Sequence, residues 1–143
     1  GRSAAEIFKA YYNRVAETAE SRLFDAIVHV DLPKRAFKPL APEVMSDFYQ
    51  SLAIRLGRAR TVIEINTRGI YDFFKTKDGI DPDPHLLRLC RQHGVGVILG
   101  SDSHRPEEVG AHFSDAVELL SLVGYDRLTV FNRRQAARVD WQK

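Results

Sequence analysis

The strongest constraint on the fold is a regular alternation of helical segments with short, apolar, β-branched runs along the 143 residues. The four apolar runs lie at 25–31, 61–67, 95–100 and 128–131, and each follows a segment in which apolar residues recur at helical spacing. Because parallel neighbours need a crossover connection, an α-β-α-β-α-β-α-β order favours a parallel sheet with helical crossovers. We therefore predict an α/β chain with about four parallel strands alternating with helices.

The helices carry recognisable start signals. Ser3 and Glu6 form a capping box, and Asp83 is placed to cap a later helix. The predicted helices begin at Ser3, Pro42, Pro84 and Pro106. The intervening stretch from Arg68 to Asp83, with the aromatics Tyr71, Phe73 and Phe74, is predicted to be a loop over the strand ends.

Composition and net charge indicate what kind of protein this is and which partners to expect. The chain is 44% hydrophobic and 28% charged, which predicts one globular domain spanning 1–143. The net charge of 21 − 19 = +2 gives no reason to expect a nucleic-acid or membrane partner. A single cysteine, Cys90, favours a reducing cytoplasm. Because Met45 is the only methionine and the chain begins at Gly1, we expect a fragment or a processed chain.

Polar side chains lie at the carboxyl ends of three of the four predicted strands. In parallel α/β folds, active-site residues are found at these strand ends. The polar residues are His29 and Asp31, then Glu64 and Asn66, then Asp102 and His104. On an extended segment, positions i and i+2 project to the same side, so Asp102 and His104 could bind one cation. The alternative is a loop acid that caps the next helix beside an exposed histidine.

Imidazole and carboxylate groups together suit Zn²⁺, Mn²⁺ or Fe²⁺, and such an ion supplies hydroxide near neutral pH. The candidate metal-binding and catalytic residues are His29, Asp102 and His104. Lys34, Arg35 and Arg68 are candidates for binding an anionic group such as phosphate, although the first two could instead be a solvated loop. Hydrolysis of a phosphate ester is the reaction that uses both sets.

Other residues have simpler interpretations. Glu64, in an apolar strand, needs a partner such as Arg35 or Arg68, or a proton. Asp31 is expected to be a structural partner of the following loop. Cys90 is expected to be a small core residue, and Trp141 is expected to dock the tail.

Three ordered segments, 24–35, 63–69 and 99–110, resemble the carboxyl-terminal half of the polymerase and histidinol phosphatase (PHP) superfamily. The nearest pattern is the PHP-type histidinol phosphatase. The resemblance implies a partial, distorted (β/α)7 TIM-like barrel. It also implies a site for two or three divalent metal ions at the strand ends, where metal-activated hydroxide attacks a phosphate monoester.

The resemblance extends to single residues. His29 matches the family's late metal-binding histidine, and Asp102 and His104 match its final Asp-x-His pair. Glu64 and Asn66 match a Glu-Ile-Asn segment that lines the site, with Asn66 among the candidate substrate-binding residues. Two departures are that Val28 replaces the family's glycine, and that the amino-terminal His-x-His motif and the other early ligands have no counterpart.

The implied activity of the full-length parent is conversion of L-histidinol phosphate to L-histidinol and phosphate, in histidine biosynthesis. One alternative is the same chemistry on another phosphomonoester or a nucleotide. Another is a non-catalytic half-barrel that lacks most of the metal ligands. Because a half-barrel leaves strand edges uncovered, its expected partner is the missing amino-terminal half or a second copy.

Overall fold

Three parallel strands form the central sheet of the computed structural model, which describes residues 1–38, 40–68 and 81–141. Their order is β1-β2-β3, and β2 is hydrogen-bonded to both neighbours. The strands are β1 (Ala26–Ile27), β2 (Val62–Asn66), β3 (Gly96–Gly100), β4 (Arg127–Asn132) and β5 (Gln135–Asp140). The helices are α1 (Ala4–Glu20), α2 (Pro33–Ala36), α3 (Pro42–Ala59), α4 (Pro84–Gln92) and α5 (Phe113–Leu122). The predicted mixed α/β fold with a parallel sheet is thus confirmed.

Three of the four predicted helices, α1, α3 and α4, start where their sequence signals place them. The side-chain oxygen of Ser3 accepts a hydrogen bond from the Glu6 backbone, and the Glu6 carboxylate accepts one from the Ser3 backbone, which completes the predicted capping box. The Asp83 side chain caps α4 by accepting a hydrogen bond from the His85 backbone. Two of the predicted start signals therefore form the contacts that their spacing requires.

The core lies between the sheet and the layer of α1, α3 and α4. Phe8, Leu56, Ile63 and Leu86 are fully buried in it, one from each of these helices and one from β2. Cys90 is also fully buried, and Trp141 packs against the core at its edge, as predicted for both. Burial of these apolar side chains supplies the main driving force that holds the strands in place.

The first strand is shorter than the run 25–31 predicts. His29 has a φ of 53°, a left-handed conformation that ends the extended backbone just after Ile27. The chain then turns into α2, so His29 and Asp31 follow the strand and do not belong to it.

The last quarter of the chain departs from the prediction in two places. Pro106 begins only a 3₁₀ turn, Pro106–Glu108, and the helix starts again at Phe113 after Gly110 takes a φ of 75°. The run 128–131 lies in β4, but β4 pairs antiparallel with β5 and is no fourth parallel strand. The parallel sheet among the described residues therefore has three strands.

Most of the predicted loop from Arg68 to Asp83, including Tyr71, Phe73 and Phe74, lies outside the described residues. In the part of the chain that the structure describes, no helix combines the length and the apolar character needed to cross a bilayer.

Candidate functional site

The carboxyl ends of the three parallel strands bring polar side chains to one edge of the sheet. His29 follows β1, Glu64 and Asn66 come from the end of β2, and Asp102 follows β3. Asp81 joins them because its backbone forms an isolated bridge with Asn66, in which the Asn66 N–H donates to the Asp81 carbonyl at 3.1 Å. Residues separated by up to 73 positions thus meet at one end of the sheet.

His29 is held through both its backbone and its ring. Its carbonyl accepts a 2.6 Å hydrogen bond from the Tyr11 hydroxyl of α1. Its Nδ1 lies 3.4 Å from the Asn66 side-chain nitrogen and 3.8 Å from Asp81 Oδ2. These contacts fix the left-handed backbone of His29 and leave its ring at the strand ends.

Asp81 is a site residue that sequence reasoning missed. It is 2% exposed, and its Oδ1 accepts a 3.2 Å hydrogen bond from the Asp31 backbone. Its Oδ2 is buried and has no hydrogen-bond partner among the described residues. Burial raises the pKa of Asp81, and the nearby guanidinium of Arg35, 3.8 Å from Oδ2, opposes that rise.

Glu64 lies across the end of β3, where a side chain on Gly100 would collide with it. A Cβ on Gly100 would lie 1.9 Å from Glu64 Oε1, so only glycine leaves room for this carboxylate. Burial raises the pKa of Glu64, while the ring and backbone of His29 partly offset it. Glu64 Oε2 is a second buried oxygen without a hydrogen-bond partner among the described residues.

The predicted ion pair of Glu64 with Arg35 or Arg68 does not form among the described residues. Arg35 instead lies 3.8 Å from Asp81 and 4.0 Å from Asp102, at the limit of ion pairing with both. Arg68 lies 4.0 Å from Glu108. The Glu64 carboxylate lies against Gly100 of β3 and near His29, whereas Arg35 projects from α2 toward Asp81 and Asp102.

The Asp102-x-His104 pair does not have the extended geometry that we predicted. Asp102 has a φ of 47°, so the two side chains are not related as neighbours on one face of a strand. The pair is instead joined by a 2.8 Å hydrogen bond between His104 Nδ1 and the Asp102 carbonyl. Arg68 contacts both that carbonyl and the His104 ring, and the His104 backbone donates to Glu108 at 2.9 Å. His104 therefore lies at the exposed rim.

Asp31 is the structural partner of the loop that the sequence predicts. Its buried carboxylate accepts hydrogen bonds from the hydroxyl groups of Tyr12 at 2.6 Å and Tyr49 at 3.1 Å, and from the Asp83 backbone at 3.0 Å. Lys34 lies 2.9 Å from the same carboxylate and 3.0 Å from that of Asp83. Burial acts to lower the pKa of Lys34, but the two carboxylates outweigh it and raise that pKa. The solvated-loop interpretation of Lys34 is therefore wrong.

The donor atoms at the strand ends fit a divalent cation in chemical type. Two buried carboxylate oxygens without donors, Asp81 Oδ2 and Glu64 Oε2, lie near the imidazole of His29. Buried carboxylate oxygens are normally satisfied by a donor, a proton or a metal ion. Within residues 1–38, 40–68 and 81–141, however, no three His, Cys, Asp or Glu side chains converge closely enough to enclose an ion. The described residues thus do not enclose a metal ion by themselves.

Comparison with known proteins relates these features to a family. The chain is 35% identical, over 93% of its length, to a probable histidinol-phosphatase from Deinococcus radiodurans, of which it covers 49%. It is 36% identical over half its length to a probable phosphatase from Clostridium novyi, of which it covers 28%. No protein-family model matches the chain. The chain therefore spans half or less of the length of these curated relatives.

Solved structures share the fold. A histidinol phosphate phosphatase from Lactococcus lactis, crystallised with zinc, L-histidinol and phosphate, superposes with a TM-score of 0.71 at 18% identity. The match covers 95% of this chain and 52% of that one. A Listeria monocytogenes protein assigned as a histidinol phosphatase superposes with a TM-score of 0.62 at 21% identity, over 79% of this chain and 44% of that one. The resemblance predicted from the three motifs is thereby confirmed: the chain is similar in sequence to a probable histidinol-phosphatase and in fold to histidinol phosphatase structures, over about half the length of each.

Proposed function

We propose that this chain contributes one half of a metal-dependent phosphomonoesterase site whose substrate is L-histidinol phosphate. The observation that supports the proposal is the pair of unpartnered buried oxygens, Asp81 Oδ2 and Glu64 Oε2, next to His29 at the strand ends. The 35% identical relative named as a probable histidinol-phosphatase favours this substrate over a nucleotide or another phosphomonoester. The presence of zinc, L-histidinol and phosphate in the structurally similar Lactococcus enzyme supports the same choice.

In this proposal, His29, Asp102 and His104 hold the metal, and Asp81 contributes its unpartnered oxygen. A divalent ion bound here would supply hydroxide at neutral pH, because it would lower the pKa of a bound water to about 7. Zn²⁺, Mn²⁺ and Fe²⁺ all suit such nitrogen and oxygen donors. Asn66 fixes the His29 ring through its side-chain amide.

Arg35 and Arg68 bind the phosphate group in this proposal. Arg35 lies at 3.8 Å and 4.0 Å from its two carboxylate neighbours, distances too long for hydrogen bonds, so no described carboxylate occupies its donors and they can turn to an incoming phosphate. Lys34 is already engaged with Asp31 and Asp83, and it fixes the start of α2, from which Arg35 projects. Its effect on the substrate is therefore through Arg35.

The complete site in this proposal is that of a distorted (β/α)7 barrel with two or three metal ions. The three-stranded parallel sheet supplies the carboxyl ends of β1, β2 and β3. The remaining ligands come from a second half, because the described residues do not enclose an ion by themselves.

The test is release of phosphate from L-histidinol phosphate by the purified chain, with and without Zn²⁺, Mn²⁺ or Fe²⁺, together with direct measurement of Zn²⁺ binding. We expect Asp102→Ala to weaken Zn²⁺ binding and any turnover at least about a hundredfold, as losses of metal-site residues do. Asp47→Ala, at an exposed acid of α3, is the matched control and should change neither. Activity that survives Asp102→Ala in full would refute the ligand assignment.

The second candidate is a non-catalytic half-barrel, and the lack of a three-residue metal cluster among the described residues favours it. It predicts no turnover and no saturable Zn²⁺ binding by the intact chain under conditions where the chain is folded. Zn²⁺ binding that is lost in Asp102→Ala would exclude this candidate, whichever substrate is hydrolysed.

A further inference from the structure

A second charged region lies at the opposite end of the sheet from the candidate site. A cleft of about 240 Å³ opens at the amino end of β3, between the end of α4 and the β4–β5 hairpin. Arginines from three places in the chain line it: Arg91 of α4, Arg127 of β4 and Arg138 of β5. Among the described lining residues Asp126 is the one acid, so the lining carries a net charge of +2, with Asp140 beside it at 3.7 Å from Arg127.

The three arginines are only weakly engaged by other groups. The Arg138 side chain forms no ion pair and no hydrogen bond within the part of the chain that the structure describes, while its backbone pairs with Thr129 across the hairpin. Arg127 lies 3.7 Å from Asp140 and 4.0 Å from Asp126, beyond hydrogen-bond length. Toward the described residues, the Arg91 side chain forms one hydrogen bond, in which its Nε donates to the Gly124 carbonyl at 2.9 Å. Most of their donors are therefore available to a ligand.

Two glycines, at the mouth and on the floor of the cleft, leave it free of side chains there. Gly94, with a φ of 74°, has nothing within 4 Å of where a Cβ would lie, so no side chain fills the mouth. At Gly96 a Cβ would lie 2.9 Å from Thr129 Oγ1, so the floor is bare backbone packed against the hairpin. The Arg91 guanidinium lies 6.0 Å from the centre of the Tyr125 ring, which limits its freedom at the wall.

We propose that this cleft is a binding site for a small oxyanion of the phosphate class, distinct from the site at the carboxyl ends of the strands. Planar guanidinium groups donate in pairs to phosphate oxygens, and three of them around a small cleft match a multiply charged tetrahedral anion. A cleft of about 240 Å³ has room for inorganic phosphate or a small phosphomonoester. The inference does not depend on the proposed hydrolysis, because no residue is shared between the two sites.

The experiment measures binding of inorganic phosphate to the purified chain by calorimetry at low ionic strength, where charge interactions are least screened. Arg138→Gln and Arg127→Gln are the test variants, and each should weaken binding about tenfold, as expected for loss of one charged hydrogen bond. Arg58→Gln, at an exposed arginine of α3 outside both sites, should leave binding unchanged. Thermal unfolding of each variant shows whether its fold is intact.

A further variant separates the two sites. Arg35→Gln removes the arginine proposed to bind phosphate at the strand ends, and it should leave the calorimetric binding to the arginine cleft unchanged. The inference is overturned if phosphate does not bind saturably, or if Arg35→Gln abolishes binding while Arg138→Gln and Arg127→Gln do not. Equal loss in Arg58→Gln would also overturn it, because the effect would then reflect overall charge.

Discussion

The conformation of His29 depends on a residue that belongs to another element. Its left-handed backbone, with a φ of 53°, is unfavourable for a non-glycine residue, and the 2.6 Å hydrogen bond from the Tyr11 hydroxyl helps to hold it. Tyr11 lies on α1. The helical spacing of the apolar residues in α1 predicts that Tyr11 faces the core, but it does not predict a contact with His29. The role of Tyr11 at the site comes from the position of its hydroxyl.

Tyr11→Phe tests this positioning role. We expect it to lower the free energy of unfolding by about 1 kcal/mol, the usual cost of one such hydrogen bond, and to weaken Zn²⁺ binding about tenfold. Tyr125→Phe is the matched control, because its hydroxyl also donates to a backbone carbonyl, that of Val95, but far from the strand ends. Equal Zn²⁺ affinity in the two variants, measured by competition with a chelating dye, would show that Tyr11 has only a structural role.

Burial of Cys90 makes its thiol harder to ionise. Burial raises the pKa of the Cys90 thiol to about 12, from 9.0 in the unfolded chain. The unfolded state therefore loses this proton first, and the free energy of unfolding should fall as pH rises from 9 toward 12. The slope from this one group is at most about 1.4 kcal/mol per pH unit.

Two measurements check the Cys90 prediction. A thiol reagent should modify the folded chain far more slowly than the chain in denaturant. Denaturant titrations between pH 9 and 12 should show a steeper loss of stability for the parent chain than for Cys90→Ala. Rapid modification of the native chain at neutral pH would contradict the burial of this thiol.

From the sequence, the residues of the candidate site could be identified only where the end of a strand could be predicted. His29, Asn66 and Asp102 were found because each follows or ends an apolar run, and the structure brings them to one edge. Asp81 was missed because it lies within the predicted loop from Arg68 to Asp83, where no strand end marks it, and its pairing with Asn66 is what places it at the site. Gly100 ends β3, as its apolar run predicts, but no sequence pattern indicates that its lack of a side chain is what leaves room for Glu64.

At the scale of elements, α3 contacts the end of α4 so closely that the contact limits the size of the residue at position 57 of α3. Gly57 lies within α3, and a Cβ there would lie 2.5 Å from the His93 carbonyl oxygen. That oxygen belongs to the backbone and cannot rotate away as a side chain could. Gly57 is therefore required by packing, although glycine weakens a helix.

Gly57→Ala should destabilise the protein, against the usual trend. Alanine in place of a mid-helix glycine normally stabilises by about 1 kcal/mol, but overpacking against backbone costs about 1–3 kcal/mol. We expect a net loss, measured by urea unfolding. Ser51→Ala, on the exposed side of the same helix, should change stability by less than about 0.5 kcal/mol. A higher melting temperature for Gly57→Ala would contradict the contact.

The helices α1 and α4 were predicted correctly because residues at their ends mark where they begin, whereas the β4–β5 hairpin has no such sequence signal. Capping residues mark α1 and α4 in the sequence itself. The β4–β5 hairpin turns through Arg133 and Arg134, both with positive φ, where Asn or Gly would be the expected signal. Because β5 is exposed along its whole length, it also lacks the alternation of apolar residues that marks a half-buried strand.

At the scale of the whole molecule, apolar side chains remain uncovered next to the first strand. Leu23, Phe24 and Val28, around β1, are 72%, 59% and 50% exposed. Among the described strands, β1 is paired on one side only, with β2. A free strand edge beside exposed apolar side chains is a typical surface for association.

We therefore predict that the chain self-associates through the β1 edge when no other half covers it. Phe24→Ser should shift sedimentation toward the monomer, because it removes apolar surface at that edge. Leu122→Ser is the matched control, since Leu122 is also exposed, at 74%, but lies on α5. A monomer at all concentrations, or an equal effect of both substitutions, would argue against association at this edge.

The buried carboxylate of Asp31 has a consequence for how the protein loses its structure. It joins α1 through Tyr12, α3 through Tyr49, α2 through Lys34 and the start of α4 through the Asp83 backbone. Loops at functional sites usually open before the core does. Here the turn that carries His29 is tied through Asp31 to four helices, so it should exchange its amide hydrogens only when the whole domain unfolds.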